Sequence, residues 1–393
     1  MTYQELKAEE NKYVMNTYGR FPIALDHGEG ATVWDVEGKK YIDLGSGIGV
    51  NCLGYNNPVI VDAITNQAHK LMHVSNLFTT EPMVQVAKKL VEKTHLNGKV
   101  FFANSGAEAN EGAIKLARKY SFDKYGEGRY KIVTLVNSFH GRTVTTLKAT
   151  GQDRFHNYFF PFTEGFDYAV ANDFDSVRRK ADETTCAVMM ELIQGEGGVL
   201  PLDREFVQQV EALCREKDIL LIIDEVQTGI GRTGSLFCFQ QYGIRPDVVT
   251  MAKGLGGGVP VGAVLAAESC SNVLTPGTHA TTFGGTPIVC AAANAVLDTV
   301  GDGQFLEKVK EKGEYLKNGI LSIGSPNILG VRGMGLMLAI IVEDGKHAAY
   351  ANKLLEKGVI GLTAGKNAVR LLPPLTISKE EMDEALTIMK EVF

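Results

Sequence analysis

A lysine directly after a largely apolar segment is the first candidate for chemistry in this sequence. Lys253 follows residues 248–252 and leads into the glycine-rich segment 254–258. Removal from water lowers the pKa of a lysine and makes its amine nucleophilic, as covalent binding of a carbonyl group requires. The alternative is a lysine at a strand end whose amine reaches out to solvent.

An aspartate closes a second apolar segment. Asp224 ends the run Leu220-Leu-Ile-Ile-Asp224, and the carboxyl end of a buried strand is where α/β sheets bind ligands. A buried carboxylate is unfavourable unless a cation or strong hydrogen-bond donors compensate it. A ligand contact, a helix cap and a structural ion pair all remain open for Asp224.

A third segment, 104–111, joins a predicted strand to a predicted helix. Ser105 and Glu108 have the spacing of a capping box, and the N–H groups of Gly106 and Ala107 would face an anion at the helix start. A capped helix without a ligand is the alternative. Taken together, a phosphate site, a buried aspartate and a desolvated lysine are the protein groups that pyridoxal 5'-phosphate (PLP) requires.

Two other motifs lack the context that their usual functions need. Residues 229–234 read GIGRTG, but a dinucleotide fingerprint joins a strand directly to a helix, with an acid ending the next strand. Here 224–228 intervene and Asp247 begins a strand, so a nicotinamide enzyme is the weaker hypothesis. His69 and His73 are four residues apart without the intervening glutamate of a zinc motif, so we expect no metal site.

Composition excludes several classes of partner. The chain has 393 residues and a formal charge of −6, with 40 Lys and Arg against 46 Asp and Glu. Without a basic block we expect no nucleic-acid partner, and the longest dense apolar run, 219–223, is far shorter than the ~20 residues of a membrane span. The six cysteines form no CxxC pair, which favours reduced thiols and a cytoplasmic protein.

The pattern of the whole chain predicts an α/β fold. Apolar runs without alternation are separated by helical periods, which indicates a largely parallel sheet covered on both faces. We predict three parts: residues 1–55 as an N-terminal segment contributing to a small domain, 56–300 as a large cofactor-binding domain, and 301–393 as a C-terminal small domain of α+β type. The predicted helices include 84–93, 110–120, 204–217 and 305–320, and the predicted strands include 99–103, 130–136, 186–192, 218–223, 247–252 and 261–267.

Nearly the whole chain resembles the class III, or ω-amino, PLP-dependent aminotransferases of fold type I. The shared segments are SGAEANE, SFHGRT, QGEGGV, LLIIDEVQTGIGRTG, MAKGLGGGVPVGA and HATTFGGTP. The resemblance implies a large domain with a mainly parallel sheet, a smaller α+β domain, and a homodimer whose two sites are shared between subunits.

The resemblance also implies roles at the cofactor. Lys253 would bind PLP covalently, Asp224 would pair with the ring nitrogen and Gln227 with the ring hydroxyl. Phe139 would stack on the ring. The phosphate would be held by the N–H groups of Gly106 and Ala107, and by Thr282 from the neighbouring subunit.

For the substrates, the resemblance implies two arginines. Arg142 would hold the α-carboxylate of the amino donor, with Thr281 and either Asn51 or Tyr18 nearby. Arg370 would receive 2-oxoglutarate, and Glu196 would be its removable ion-pair partner. The same pocket must accept an uncharged methylene of the amino donor and then a carboxylate of 2-oxoglutarate. An arginine that is neutralised in the first half-reaction and freed in the second can serve both substrates.

Details of the sequence indicate the donor. The segment 16–22, the run Phe139-His-Gly-Arg142 and the compact length are most similar to members that act on N2-acetylornithine. Ornithine, 4-aminobutyrate and N-succinyl-diaminopimelate remain alternatives. The sequence departs from the family's LGHxHP at 53–58, where Tyr55 and Asn57 replace both histidines, and it has Thr281 and Thr286 where serine and asparagine are usual.

Overall fold

The computed structural model describes residues 1–393 and contains helices and strands in alternation through its central part. The helices are α1 (Tyr3–Tyr13), α2 (Ser46–Gly49, a single turn), α3 (Pro58–Ala68), α4 (Glu81–Thr94), α5 (Gly106–Tyr125), α6 (Val144–Ala149), α7 (Phe174–Lys180), α8 (Arg204–Lys217), α9 (Phe239–Tyr242), α10 (Pro287–Val300), α11 (Gly303–Ser322), α12 (His347–Lys357) and α13 (Lys379–Val392). The strands are β1 (Leu25–Glu29), β2 (Thr32–Asp35), β3 (Lys40–Asp43), β4 (Lys99–Ala103), β5 (Lys131–Leu135), β6 (Phe166–Ala169), β7 (Thr185–Met190), β8 (Ile193–Gln194), β9 (Leu200–Pro201), β10 (Leu220–Asp224), β11 (Val248–Met251), β12 (Gly262–Ala266), β13 (Gly330–Met334), β14 (Met337–Ile341), β15 (Val359–Ile360), β16 (Leu362–Ala364) and β17 (Ala368–Leu371).

A seven-stranded sheet in the order β4-β12-β11-β10-β7-β5-β6 forms the centre of the molecule. Strand β12 runs antiparallel to both neighbours, and the other neighbouring pairs are parallel. Every residue of β7, β10, β11 and β12 is buried, which explains why these strands read as continuous apolar runs rather than alternating ones. The prediction of an α/β fold with a largely parallel sheet is confirmed.

One edge of this sheet collects the candidate residues. Asp224 is the last residue of β10, and Lys253 comes two residues after the end of the neighbouring parallel strand β11. Strand β4 has the same direction because it is antiparallel to β12, which is itself antiparallel to β11. The chain therefore leaves β4 at the same edge and enters α5 at Gly106.

Two four-stranded sheets bring together residues far apart in the chain. Strands β1, β2 and β3 form a sheet with β15, in which β3 and β15 are parallel. The order of the other sheet is β13-β14-β17-β16, and Arg370 lies on β17 opposite Ala339. The domain boundaries at residues 55 and 300 stay a prediction.

Several features outside the sheets bear on the expectations from sequence. None of the helices has the length and apolar character needed to cross a membrane. All six cysteines are buried and unpaired. Helix α3 ends at Ala68, so His69 and His73, four residues apart, do not lie together on a helix.

Candidate active site

A cavity of 490 Å³ opens at the carboxyl edge of the central sheet, within the size range of about 300–1,000 Å³ typical of small-molecule sites. It is formed where β4, β5, β7, β10 and β11 end, so its polar side chains come from several different connections. The residues predicted from sequence that line it are Gly106, Ala107, Phe139, Arg142, Asp224, Gln227 and Lys253.

Asp224 lies at the base of the cavity with only 3% of its side chain exposed. Its Oδ2 accepts hydrogen bonds from Asn110 Nδ2 and His140 Nδ1, both at 2.8 Å, and its Oδ1 accepts one from the backbone N–H of Val226 at 3.0 Å. Three donors satisfy the buried carboxylate, and its position is fixed from two sides. A carboxylate held in this way can stabilise a cationic or protonated group of a bound molecule.

Sequence reasoning missed Asn110 and His140. Asn110 lies on α5, four residues beyond Gly106, and also donates to the backbone oxygen of His140 at 2.7 Å. The other ring nitrogen of His140, Nε2, is buried and has no hydrogen-bond partner. The sequence could have indicated His140, because this residue directly follows Phe139 in the segment SFHGRT. Asn110 could not be found in this way, because only the fold brings it to the carboxylate of Asp224.

Glu191 is a second buried carboxylate that the sequence analysis did not select. It follows the last residue of β7, as Asp224 closes β10, so the same pattern could have found it. Its oxygens accept the N–H of Phe139 at 2.8 Å and that of Gly195 at 3.2 Å. Burial raises the pKa of Glu191 to about 7, with His140 opposing and Asp224 adding to that shift. One side chain thus fixes the aromatic residue of the cavity and the loop that precedes Glu196.

The start of α5 forms one end of the cavity. Ser105 Oγ accepts the N–H of Glu108 at 3.2 Å, and Glu108 Oε2 accepts the N–H of Asn104 at 2.8 Å. Ser105 therefore makes the helix-capping contact of a capping box. The reciprocal contact of Glu108 goes to Asn104, the residue before the cap, and not to Ser105 itself. The first turn of a helix leaves its N–H groups without intrahelical acceptors, so those of Gly106 and Ala107 can bind an anion. A Cβ at Gly106 would lie 2.7 Å from Val226 Cγ1, which explains the glycine.

Lys253 has a backbone conformation that is rare for a residue with a side chain. Its φ of 43° is left-handed, and such strain persists where the surrounding structure enforces it, often at functional sites. Burial lowers the pKa of Lys253, Glu196 acts in the opposite direction, and Arg370 lowers the pKa further. Its amine forms no ion pair and is therefore available to react.

Arg370 and Glu196 form an ion pair at the far side of Gln227. Arg370 Nη1 donates to Glu196 Oε1 at 2.6 Å and to Gln227 Oε1 at 3.2 Å. The Arg370 side chain is 3% exposed, whereas that of Glu196 is 27% exposed. Burial raises the pKa of Glu196, but Arg370, together with Lys253 and Gln227, more than offsets this and leaves the pKa lowered. A Cβ at Gly195 would lie 2.2 Å from Gln227 Oε1, so a larger residue there would displace the end of the Gln227 side chain.

Arg142 lines the cavity without a carboxylate partner. Its guanidinium lies 4.0 Å from the ring centroid of Phe155 and 5.6 Å from that of Phe139. Stacking of this kind holds an arginine in place while its donors stay free. The arrangement suits a guanidinium that binds a carboxylate from outside.

The remaining predicted residues lie at the margin. Thr281 Oγ1 accepts a hydrogen bond from Asn104 Nδ2 at 3.0 Å, next to the start of α5. Thr282 is exposed and does not line the cavity of its own chain, and Tyr18 is 70% exposed. The role of Thr282 in a neighbouring subunit stays a prediction.

The protein family whose model matches this chain is consistent with the geometry of the site. The model of the class-III aminotransferases matches residues 13–393, and the chain belongs to that family. It is 50% identical to the acetylornithine aminotransferase of Haemophilus ducreyi over 100% of this chain and 99% of that protein. It is also 48% identical to the acetylornithine aminotransferase of Aquifex aeolicus, over 97% of this chain and 100% of that protein.

Solved structures of the same fold include enzymes of two specificities. The N-acetylornithine aminotransferase of Stenotrophomonas maltophilia is 35% identical, with a TM-score of 0.85 over 98% of this chain and 97% of that chain. An ornithine aminotransferase of Toxoplasma gondii, whose active site holds PLP at partial occupancy, is 31% identical, with a TM-score of 0.95 over 100% of this chain and 94% of that chain. The fold is therefore that of the fold type I aminotransferases, as the sequence predicted.

Proposed function

We propose that this chain transfers the δ-amino group of N2-acetylornithine to 2-oxoglutarate, giving N-acetylglutamate 5-semialdehyde and glutamate, as a step of arginine biosynthesis. One observation carries the proposal: Arg142, which lines the cavity, has no carboxylate partner, whereas Arg370, which contacts the lining residue Gln227, is neutralised by Glu196. The acetylornithine aminotransferases at 44–50% identity over nearly the whole chain support the choice of donor.

The cavity residues fit PLP as the cofactor. The N–H groups at the start of α5 suit its phosphate, and Asp224, fixed by three donors, suits a protonated ring nitrogen. Lys253 has an amine without an ion-pair partner, and burial lowers its pKa. When bound, PLP supplies the ring that accepts electrons from the substrate and carries the amino group between the two half-reactions.

Lys253 is the group that moves the proton in this proposal. Because burial lowers its pKa, more of its amine is neutral near neutral pH than for an exposed lysine. A neutral amine can take a proton from the substrate carbon that bears the amino group and return it at a second carbon. Asp224 keeps its charge in place throughout, and Phe139 holds the plane of the cofactor ring.

Arg142 and Arg370 divide the recognition of the two substrates. Arg142 binds the α-carboxylate of N2-acetylornithine through paired donors. While the uncharged methylene next to the reacting amine is bound, Glu196 neutralises Arg370. When 2-oxoglutarate enters, its carboxylate takes the place of Glu196, whose partly exposed side chain has room to move away.

A homodimer with shared sites is part of the same proposal, with Thr282 contributing to the phosphate site of the neighbouring subunit. It is supported by large apolar side chains that are exposed beside the Thr282 segment: Leu77 at 87%, Phe78 at 64% and Phe283 at 59%. A cytoplasmic location is also proposed, since six unpaired cysteines are typical of a reducing compartment.

The choice of donor is tested by kcat/KM values for N2-acetylornithine, ornithine, 4-aminobutyrate and N-succinyl-diaminopimelate, each with 2-oxoglutarate. We expect the highest value for N2-acetylornithine and ping-pong kinetics. Ornithine is the second candidate, because ornithine aminotransferases are among the structural neighbours. A preference for unacetylated ornithine would overturn the proposal.

An absorption spectrum before and after borohydride tests the cofactor and separates this proposal from a nicotinamide enzyme.

A further inference from the structure

Tyr55, which stands where the family usually has a histidine, makes a half-buried contact that the sequence did not reveal. Its hydroxyl donates to Asp43 Oδ2 at 2.6 Å. Its backbone pairs in both directions with Gly30, at 3.1 and 2.8 Å. A Cβ at Gly28 would lie 2.7 Å from Tyr55 Cγ, so the ring packs closely over that glycine. The ring therefore has a defined place, and its hydroxyl points at one carboxylate.

Asp43 connects Tyr55 to the backbone of the next segment. It is 3% exposed, and its Oδ1 accepts the N–H groups of Gly45 at 2.7 Å and Ser46 at 3.0 Å. Burial raises the pKa of Asp43, and the three hydrogen bonds from Tyr55, Gly45 and Ser46 oppose that shift. No cation contributes, so the hydroxyl of Tyr55 is the one side-chain donor that stabilises this buried charge.

The segment that Asp43 holds is strained. Ser46, Gly47, Ile48 and Gly49 have φ values of 41°, 63°, 65° and 76°, and a left-handed conformation is unfavourable for the serine and especially for the β-branched isoleucine. A strained segment of this kind persists only where its surroundings fix it. Asp43 fixes its start, and Ser46 Oγ, which donates to the backbone oxygen of Leu372, ties it to the end of β17.

The strained segment ends at the cavity. Val50 lines the cavity directly, and the side-chain oxygen of Asn51 lies 3.1 Å from the Cβ position of Gly258, another lining residue. Leu372, to which Ser46 is bonded, comes two residues after Arg370. A shift of residues 45–49 would therefore move the wall of the cavity and the connection that follows Arg370.

We propose that Tyr55 is a positioning residue for the amino donor: through Asp43 it holds residues 45–49 in the strained conformation that places Val50 and Asn51 at the cavity. The inference deepens the proposed function, on which it rests. The chain offers a matched control in the same sheet. Tyr41 donates to Asp35 Oδ2 at 2.9 Å, and Asp35 Oδ1 accepts the N–H groups of Glu37 and Lys39, but that turn does not touch the cavity.

The test compares the PLP-loaded variants Tyr55→Phe and Tyr41→Phe with the unmodified enzyme. We expect Tyr55→Phe to lower kcat/KM for the amino donor about tenfold, mainly through KM, since one hydrogen bond to a buried charge is lost. Tyr41→Phe should lower the melting temperature about as much as Tyr55→Phe does, but it should leave kcat/KM unchanged.

Hydrogen exchange gives a readout that does not depend on turnover. The amides of residues 45–51 should exchange about tenfold faster in Tyr55→Phe, and those of residues 37–39 faster in Tyr41→Phe. Equal kcat/KM values for the two phenylalanine variants, or unchanged exchange at 45–51, would overturn the inference. Failure of the unmodified enzyme to use N2-acetylornithine would instead count against the proposed function, and the exchange result would still decide the role of Tyr55.

Discussion

The two ends of the cavity hold their carboxylates in opposite ways. Asp224, at the cofactor end, is 3% exposed and accepts hydrogen bonds from three different donors. Glu196, at the proposed substrate end next to the lining residue Gln227, is 27% exposed and contacts Arg370 through one short ion pair. One charge is fixed and the other is exchangeable.

Burial explains the difference. Moving Asp224 would leave a carboxylate and two buried donors without partners, which is strongly unfavourable. Glu196 can reach water when it leaves, and an incoming substrate carboxylate supplies Arg370 with an equivalent partner. In the proposed mechanism, Asp224 therefore stays in place during the reaction, whereas Glu196 moves.

The largest effect is expected at Lys253, which lies between the two ends. Lys253→Ala removes the only amine of the cavity, and we expect steady-state kcat to fall by at least about 10³-fold, because both covalent binding and proton transfer are lost. The measurement is multiple-turnover production of glutamate from 2-oxoglutarate. Lys312→Ala is the control, since Lys312 is also partly buried and its Nζ donates to the backbone oxygen of Leu375. Full turnover by Lys253→Ala would exclude the mechanism.

Asp224→Asn tests the fixed end. The substitution keeps the size of the side chain but removes its charge, and we expect kcat to fall by about 10²–10⁴-fold. Asp247→Asn is the control, because Asp247 is half-buried beside β10 and accepts the N–H of Leu221 at 2.9 Å, far from the cavity. Similar losses in kcat for the two variants would show that the charge of Asp224 has no special part in the reaction.

Glu196→Gln tests the exchangeable end. With Arg370 no longer neutralised, kcat/KM for the N2-acetylornithine half-reaction should fall about tenfold. The half-reaction with 2-oxoglutarate should be unchanged or faster, since its carboxylate no longer competes with Glu196. Single-turnover rates of the two half-reactions are the measurement. Equal losses in both would mean that Glu196 supports the fold of the site and does not act as a removable partner.

The sequence predicted the fixed end better than the connections around it. Asp224 and Lys253 could be placed because a polar residue at the end of a buried strand lies at the ligand-binding edge of an α/β sheet. Asn110 could not, because its contact with Asp224 depends on the packing of α5 over strands more than 100 residues away in the chain. Glu191 obeyed the same rule as Asp224 and was overlooked. The role of Tyr55 required the path of residues 43–51, whose left-handed backbone no pattern of residue types indicates.

The smallest effect is expected at Glu225, which is buried beside Asp224 but faces neither end of the cavity. It accepts hydrogen bonds from Thr228 Oγ1 and the N–H of Phe239, both at 2.7 Å, and burial raises its pKa from the ordinary 4.5 to about 7. Between these values the folded chain keeps a proton that the unfolded chain has released, so the stability of the wild type falls as pH rises through this window.

Glu225→Gln removes that titration. The melting temperature of the variant relative to wild type should therefore rise between pH 5 and pH 8, by the equivalent of about 1–3 kcal/mol, with kcat unchanged within about twofold at pH 8. A difference in melting temperature that is independent of pH would contradict the prediction. A large loss of kcat would mean that Glu225 also takes part in the reaction. The fixed end of the cavity would then include Glu225 as well as Asp224.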